Sequence, residues 1–367
     1  MAIRTIGVLT GGGDAPGLNP ALKAVVYKAA EVNVQVVGIY DGWQGLLDGY
    51  CEETLVLEPY MVRRWDRDGG TNIGSSRTNP FRVKPPGGGK PTDRSDEVLR
   101  NIERLGLDAL IAMGGEDTLG VAHTLCGRGA PIVGVPKTID NDLSATDYSL
   151  GFDTAIRNCV DIIERVRTPA GSHHWVQVVE VMGRHTGHLA LWSGMAGGAM
   201  MTLIPECPFR YERVYELLDT RLRLGARDRR YPRYAVVVVA EGSTAVDEEV
   251  VTIDKERDAF GHVHLGGIGE VLSKRIRENT PYESRAVIPG HAQRGGMPSA
   301  VDRLMGRLFG AAAVQAVMEG RFDMMVSSRG IAPACEISMV PLAEAVGQLK
   351  LVDVERYYDT EHYTAKL

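Results

Sequence analysis

One six-residue stretch, Lys137–Asp142 (KTIDND), carries an amine, a hydroxyl and two carboxylates. A carboxylate can take the proton of a reacting hydroxyl, and carboxylate oxygens can hold a Mg²⁺ ion that bridges phosphate groups. A lysine offers a mobile cation to a phosphoryl group in transfer. We therefore interpret the stretch as a candidate phosphoryl-transfer site. Asp140 would accept the proton, and Asp142 or Glu116 would hold the metal.

A glycine-rich run, Gly11–Asn19 (GGGDAPGLN), is the second candidate. Its glycines leave backbone N–H groups uncovered, and the start of the helix that follows favours an anion, so the run is suited to cradle a phosphate. It does not fit the dinucleotide pattern GxGxxG, because Pro16 stands where the third glycine belongs. A tight strand-to-helix turn without a ligand is the alternative. The run GGGKP around Lys90 fails the Walker A pattern, because Pro91 replaces the required Ser or Thr.

Cations that could neutralise a phosphate are arginines scattered along the chain: Arg77, Arg82, Arg184, Arg285 and Arg294. Phosphoryl transfer depends more on positioning and charge neutralisation than on a covalent nucleophile. A single arginine is more often part of a surface ion pair, so these residues are candidates for phosphate binding only because of the motifs around them. His185 and His188 could hold zinc, but no third ligand with a recognisable spacing follows, and packing is favoured.

The motifs lie between short β-branched runs and longer amphipathic segments, a pattern typical of βαβ units around a mainly parallel sheet. The predicted strands are Arg4–Thr10, Val34–Tyr40, Ala109–Met113, Pro131–Val135, Trp175–Val181, Tyr234–Ala240 and Arg285–Ile288. The predicted helices are Leu18–Glu31, Arg94–Leu105, Thr118–Gly127, Gly151–Arg167, Tyr211–Arg223, Ile268–Asn279 and Ser299–Glu319. Ligands of such sheets bind beyond the carboxyl ends of the strands. Most of the polar motifs come directly after a predicted strand.

Composition excludes several classes of protein. The 367 residues include 41 Lys and Arg against 47 Asp and Glu, a net charge of -6, so no footprint for nucleic acid or an anionic membrane is visible. The five cysteines are widely spaced and never form CxxC, which argues against a disulfide framework or a thiolate metal site. The first residues lack the pattern of a secretory signal, and we expect a cytoplasmic location.

Together the motifs resemble those of the phosphofructokinase A family, which phosphorylates the C1 hydroxyl of fructose 6-phosphate. The matching segments, in family order, are GGGDAPGLN, YDGWQGL, GGTNIGSSR, AMGGEDT, PKTIDND, EVMGRHTGH and GHAQRGGMPSAVDR. The match covers nearly the whole length of the chain. The resemblance implies an α/β protein of two Rossmann-like three-layer αβα domains with mainly parallel sheets, and an active site in the cleft between them.

The resemblance also assigns roles to residues. It implies Asp140, Lys137, Asp117 and Arg184 as catalytic residues. It places the sugar phosphate against Thr138, Ile139, Asp140, Met182, Gly183, Arg184, Glu241, Arg285, His291 and Arg294. It places the phosphoryl donor against Gly12, Arg77, Gly115, Asp117 and Lys137, and Mg²⁺ at Glu116 and Asp142. The domains implied are residues 1–151 with about 293–343 for the donor, and about 152–292 with 344–367 for fructose 6-phosphate.

Two positions indicate the donor. ATP-dependent members typically carry glycine where this chain has Asp117 and Lys137. A carboxylate at position 117 adds bulk and negative charge where a nucleotide α-phosphate would lie, and Lys137 supplies positive charge to a smaller donor. In the family that pair marks the use of pyrophosphate, in a reversible reaction. The alternative is that Asp117 only caps the following helix, with ATP as the donor.

Other positions depart from the family pattern. Trp175 stands where many bacterial members carry an arginine that reaches the sugar phosphate of a neighbouring subunit. Arg285 is left as the candidate for a second contact of that kind, which implies a homodimer or homotetramer. Lys23 and Tyr27 replace effector-binding arginines, so we expect no control by nucleotides. Sedoheptulose 7-phosphate as acceptor, a nicotinamide oxidoreductase and a non-catalytic sugar-phosphate sensor are the other hypotheses.

Overall fold

A computed structural model describes residues 3–51, 54–85, 89–246, 248–257, 260–261 and 263–366. The strands are β1 (Thr5–Thr10), β2 (Gln35–Ile39), β3 (Thr54–Leu57), β4 (Ala109–Gly114), β5 (Ile132–Pro136), β6 (Val176–Val181), β7 (Met201–Leu203), β8 (Ala235–Ala240), β9 (Thr252–Arg257), β10 (Val263–Leu265), β11 (Ser284–Val287), β12 (Met324–Ile331), β13 (Ala334–Pro341), β14 (Tyr358–Asp359) and β15 (Thr364–Ala365). The helices are α1 (Leu18–Glu31), α2 (Ser95–Arg104), α3 (Glu116–Cys126), α4 (Phe152–His173), α5 (His188–Ala196), α6 (Tyr211–Arg227), α7 (Ile268–Asn279), α8 (Ala300–Met318), α9 (Leu342–Ala345) and α10 (Val354–Tyr357).

The chain forms two compact units. Unit 1 comprises Met1–Thr154, Arg257–His262 and Arg294–Leu349, and unit 2 comprises Ala155–Glu256, Val263–Gln293 and Lys350–Leu367. No described helix is long and apolar enough to cross a membrane.

Unit 1 is built on a seven-stranded sheet with the order β13-β12-β5-β4-β1-β2-β3. The five inner strands run parallel, whereas β3 and β13 pair antiparallel at the two edges. Strands β1 and β4 are buried almost throughout, as expected for central strands of a parallel sheet. The sheet of unit 2 has the order β11-β6-β8-β7, and its strands are all parallel. The predicted α/β class with parallel sheets is therefore confirmed.

Most predicted elements occur with ends shifted by one or two residues. Two shifts matter more. Helix α3 begins at Glu116 rather than Thr118, and α4 runs to His173 rather than ending at Arg167, although Pro169 lies inside it. Pro169 is on the exposed side of α4, where water can satisfy the carbonyl that lacks a donor. The elements that were missed are short or lack a clear hydrophobic period: strands β3, β7, β9, β10, β12, β13, β14 and β15 and helices α5, α9 and α10. Two glycines of the GGGKP run, Gly87 and Gly88, lie outside the described residues.

Close packing of α1 on α8 holds the sheet of unit 1 on one side. Two glycines of α8 make the contact possible: a Cβ on Gly310 would lie 2.4 Å from the carbonyl oxygen of Ala21, and one on Gly306 would lie 2.8 Å from that of Gly17. A side chain at either position would push the helices apart.

A buried carboxylate ties the start of α8 to the start of α4. One Asp302 oxygen accepts hydrogen bonds from the Tyr148 hydroxyl at 2.8 Å and the Gly151 amide at 2.6 Å. The other accepts from the amide and the hydroxyl of Thr154. Burial raises the pKa of Asp302 to about 6, against the effect of these four donors, so the group is ionised at pH 7.5.

We expect Asp302→Asn to lower the free energy of unfolding by about 2–4 kcal/mol, because an amide nitrogen would face buried donors and leave one unsatisfied. Urea unfolding at pH 7.5 measures the change. Glu319→Gln, at the exposed end of the same helix, is the control and should shift stability by less than about 0.5 kcal/mol. Equal stability of the two variants would contradict this role of Asp302.

Candidate active site

Three adjacent parallel strands of unit 1 end at the motifs that the sequence singled out. The register pairs Thr10 of β1 with Met113 of β4, and Gly114 of β4 with Pro136 of β5. The pairing continues past the strand ends, where the Lys137 amide donates to the Gly114 carbonyl at 3.0 Å. The residues after β1 (residues 11–17, the glycine loop), the start of α3 and the KTIDND stretch therefore lie side by side.

Lys137 is buried, and its ammonium group donates to the carbonyl oxygen of Gly13 at 2.6 Å. Burial lowers the pKa of Lys137 to about 7. The charges of Arg294 and Arg77 lower it further, and the carboxylates of Asp14 and Asp142 oppose the shift. The structure thus brings Lys137, Arg77, Arg294 and Asp142 into one electrostatic neighbourhood. A cation held against a neutral carbonyl is suited to receive an anion.

The glycine loop is shaped by its neighbours. Gly12 has a φ of 77°, a conformation that favours glycine, and its amide donates to the Ser76 carbonyl at 2.9 Å. Among the described residues, no acceptor faces the amides of Gly13 and Asp14. The family resemblance places the phosphoryl donor against Gly12, whose own amide is engaged with Ser76. The amides of the next two residues are available to an anion, and Gly12 supplies the turn.

Arg294 lies across the glycine loop. A Cβ on Gly13 would be 2.4 Å from the guanidinium of Arg294, so the close approach requires glycine at that position. The Nε atom of Arg294 donates to the Asp14 carbonyl at 2.9 Å, and the Asp14 carboxylate lies 3.6 Å away. Arg294, which the family resemblance places at the sugar phosphate, is thus in contact with the loop expected to hold the donor.

The KTIDND stretch folds into a turn that is held by hydrogen bonds of its own side chains. Asn141 has a φ of 50°, and its side chain accepts from the Ser149 amide at 2.9 Å and donates to the Asp147 carbonyl at 3.2 Å. The Thr138 hydroxyl accepts from the Asp140 amide at 3.2 Å. The side chain of Ile139 is buried in the core, so any contact with a ligand would come from its main chain. Asn141 was not predicted, although its type suits a left-handed turn.

Helix α3 begins with Gly115 as its N-cap and carries both acidic residues in its first turn. Asp117 is therefore not the N-cap residue, and its charge lies in the first turn, where it also suits the positive end of the helix dipole. The Glu116 carboxylate accepts from the Gly347 amide at 3.1 Å. Both acids line a cavity of about 510 Å³ whose other walls include Phe81 and Phe260.

Thr118 is a further residue that the sequence did not reveal. A Cβ on Gly114 would lie 2.3 Å from its Cβ, and one on Gly11 would lie 2.6 Å from its hydroxyl. Its carbonyl accepts from the indole of Trp43, which is fully buried. Thr118 fills the space that two glycines leave open, so strands β1 and β4 and helix α3 meet closely here.

A metal site made of protein ligands alone is not present among the described residues, where no group of three or more His, Cys, Asp and Glu side chains could hold an ion. Mg²⁺ usually takes one or two carboxylates and completes its shell with substrate phosphates and water. Glu116 follows β4 and Asp142 follows β5, the neighbouring strand. The residues present fit that second kind of site.

Unit 2 gathers another set of predicted residues where β6 and β8 end. The Glu241 amide donates to the Val181 carbonyl at 2.8 Å, and the Gly242 amide to the Gly183 carbonyl at 3.1 Å. Gly183 has a φ of 137°, and a Cβ there would lie 2.7 Å from the carbonyl of Thr186. Met182, Gly183, Arg184 and Glu241 therefore share one edge of the sheet of unit 2.

Gln293, which sequence reasoning missed, holds a further segment at this edge. Its side chain is buried, accepts from the Met182 amide at 2.9 Å and donates to the Gly290 carbonyl at 3.1 Å. The short 3₁₀ helix Gly290–Arg294 is thereby fastened to the end of β6. His291, an exposed member of that helix, is brought to the same edge.

Arg285 lies away from the edge of the sheet that carries Met182, Gly183 and Arg184. It pairs with Gln177 near the start of β6, five positions before Met182, or about 16 Å at the usual rise of a strand. Its guanidinium stacks over the ring of Trp175 at 5.2 Å and lies 3.3 Å from the Glu283 carboxylate. The structure does not bring Arg285 together with Met182–Arg184 of the same chain.

His188 stands at the start of α5 and is engaged in packing. One of its ring nitrogens lies 2.9 Å from the Lys350 carbonyl, and burial lowers its pKa to about 4. A neutral, buried imidazole bonded to the main chain agrees with the packing interpretation of this residue.

Comparisons with known proteins agree with the motifs. The family model for phosphofructokinase matches residues 5–317. A pyrophosphate–fructose 6-phosphate 1-phosphotransferase of Amycolatopsis methanolica is 48% identical over 97% of this chain and 98% of its own length. An ATP-dependent 6-phosphofructokinase 3 of Streptomyces coelicolor is 43% identical over 97% of this chain and 98% of its own length.

A solved structure has the same fold. The pyrophosphate-dependent phosphofructokinase of Marinobacter aquaeolei superposes with a TM-score of 0.81, covering 99% of this chain and 89% of that one, at 21% identity.

We expect the affinity of unit 1 for a small polyphosphate anion to fall as the pH rises through about 7, because Lys137 then loses its proton. Calorimetric titration with pyrophosphate between pH 6 and 9 measures it. Pyrophosphate also titrates in this range, so Lys137→Met serves as the control and should show only the ligand's own dependence. Parallel curves for the two proteins would contradict a titrating Lys137.

Proposed function

The chain belongs to the phosphofructokinase family, and on that premise we propose that it transfers a phosphoryl group from pyrophosphate to the C1 hydroxyl of fructose 6-phosphate. The products are fructose 1,6-bisphosphate and phosphate, and the reaction is reversible. The observation that carries the proposal is the buried ammonium of Lys137, held 2.6 Å from a carbonyl of the glycine loop beside two amides that no described residue occupies.

The donor is held by positive charge and amides. Two adjacent N–H groups in a glycine turn form a concave site for phosphate oxygens, and Lys137 lies directly behind that turn. Arg77 adds a second cation near Lys137. These groups stabilise the charge that moves to the leaving phosphate and hold the donor in line with the acceptor.

Asp140 is the proposed proton acceptor, and Thr138 steadies it through its amide. The acceptor hydroxyl loses its proton as the new P–O bond forms, so a positioned carboxylate speeds the step. Glu116 and Asp142 would hold Mg²⁺, which supplies further neutralisation of the donor's charge. On the acceptor side, Arg184 and His291 are the proposed contacts of the sugar phosphate, with Met182, Gly183 and Glu241 beside them.

Arg285 is proposed to serve a second copy of the chain. Its distance from Met182 along the sheet argues against a contact with its own sugar-phosphate residues. A homodimer or homotetramer would place this arginine at a neighbour's site. We also propose a cytoplasmic location.

In this proposal the donor is selected by electrostatic repulsion of a nucleotide, and not by a lack of space for it. The cavity beside Asp117 has about 510 Å³ and aromatic walls, room enough for a nucleoside. Asp117 and Glu116 in the first turn of α3 would repel the phosphates of a nucleotide that entered it. The open cavity and the ATP-dependent relative at 43% identity support ATP as the second candidate donor.

We expect the wild-type protein with Mg²⁺ to phosphorylate fructose 6-phosphate from pyrophosphate and at most weakly from ATP. Asp117→Gly should raise kcat/KM with ATP by at least about tenfold, because it removes about 1.4 kcal/mol or more of repulsion. Coupled assays with each donor alone measure both rates. Efficient use of ATP by the wild type would refute the role given to Asp117.

Asp140→Asn should lower kcat by about 10²–10⁴-fold with little change in KM for either substrate, because the amide keeps the shape but cannot accept the proton. Steady-state kinetics with pyrophosphate measure this change. Asp161→Asn, on the exposed face of α4, is the control and should leave kcat unaltered. Near-normal turnover of the Asp140 variant would exclude it as the base.

A further inference from the structure

Three consecutive carbonyl oxygens of the glycine loop each accept a hydrogen bond from a side chain. The Ser75 hydroxyl donates to Gly12 at 2.6 Å, the Lys137 ammonium to Gly13 at 2.6 Å, and Nε of Arg294 to Asp14 at 2.9 Å. The three side chains come from distant parts of unit 1. Together they fix the orientation of three successive peptide planes.

In a trans peptide the carbonyl and the following N–H point in opposite directions. The bond from Ser75 to the Gly12 carbonyl therefore aims the Gly13 amide the other way, and the bond from Lys137 does the same for the Asp14 amide. These are the two amides that face no acceptor among the described residues. Ser75 thus controls the direction of one half of the amide pair.

Ser75 acts from a well-anchored segment. The hydroxyl of Thr10 donates to the Gly74 carbonyl at 2.6 Å, and that of Ser76 to the Asp41 carbonyl at 2.6 Å. A main-chain bridge joins Gly11 to Ser76. The residues on both sides of Ser75 are therefore held to β1 and to the residues after β2, so its hydroxyl is a fixed support for the loop.

We propose that Ser75 is a positioning residue for the phosphoryl donor, an inference that rests on the proposed function. It acts through the Gly12–Gly13 peptide rather than by touching the donor. Lys137 and Arg294 make similar bonds but carry charge, so replacing them changes the electrostatics as well as the geometry. Ser75 is neutral, so replacing it tests the effect of loop geometry without a change of charge.

The test compares Ser75→Ala with Ser75→Thr, which keeps a hydroxyl, and with Ser327→Ala. The Ser327 hydroxyl donates to the Ala145 carbonyl on another part of unit 1, so this control loses a bond of the same kind away from the glycine loop. Dissociation constants for pyrophosphate with MgCl₂, without sugar phosphate, are measured by calorimetry. Melting temperatures and KM values for both substrates are measured on the same proteins.

We expect Ser75→Ala to bind pyrophosphate about tenfold more weakly and to raise its KM similarly, as loss of one bond to the loop implies. Ser75→Thr should restore most of the affinity, and the KM for fructose 6-phosphate should change by less than about twofold. Ser327→Ala should lower the melting temperature comparably but bind pyrophosphate like the wild type.

The outcomes separate this inference from the proposed function. Pyrophosphate binding that is the same in Ser75→Ala and Ser327→Ala would overturn the inference, even if the wild type turns over. Ser75-dependent binding without phosphorylation of fructose 6-phosphate would support the inference and sink only the proposed reaction. A wild type that does not bind pyrophosphate would overturn both.

Discussion

A buried ammonium group bonded to a neutral carbonyl is the contact on which the site of unit 1 depends. Removing the charge of Lys137 from water carries a large cost, and the Gly13 carbonyl offsets a part of it. The lowered pKa of Lys137 reflects the part of this cost that the carbonyl does not offset. A buried cation interacts strongly with an incoming anion, because little water screens the two charges. Binding of an anionic ligand therefore offsets the free energy that burial of the cation costs in folding. Only rigid neighbours can maintain that arrangement, and the central parallel strands provide them.

Unit 2 uses buried polar side chains in a comparable way. Glu180 lies inside the sheet and accepts from the amides of Gly267 and Gly269 at the start of α7. Glu206 accepts from the Gly187 amide at the start of α5 and from Val352 near the end of the chain. With Gln293, these groups fasten loops at the strand ends by satisfying N–H groups that would otherwise be orphaned. The loops are then held by the sheet.

Local sequence was sufficient for the strands that carry the motifs, because β-branched runs between turn residues are a local signal. It was also sufficient for the KTIDND stretch and the residues after β6, which stand directly after such runs. The three bonds to the glycine loop could not be found this way. Their donors lie about sixty to nearly three hundred residues from their acceptors in the chain. The type of a serine or an arginine residue does not indicate which distant carbonyl it will contact.

The place of Arg285 shows a different limit. Its strand was predicted nearly correctly, but the strand's neighbour and register decide which end of the sheet the arginine occupies. Those depend on long-range pairing, which a single sequence does not encode in a readable form. The start of α3 was misplaced by two residues, because Asp117 resembled a cap whereas the true N-cap is Gly115, which has no side chain.

The chain order of unit 1 bears on its synthesis at the ribosome. Helix α8 and strand β12 complete the packing on α1 and β5, yet they follow nearly the whole of unit 2 in the sequence. When residue 154 has left the ribosome, the face of α1 that packs against the glycines of α8 still lacks its partner. The edge of β5 that pairs with β12 is also unpaired. Such a nascent chain exposes an apolar helix face and an unpaired strand until residue 331 is made. Asp302, which ties α8 to the start of α4, arrives with the same late segment, so closure of unit 1 is a late, non-local event.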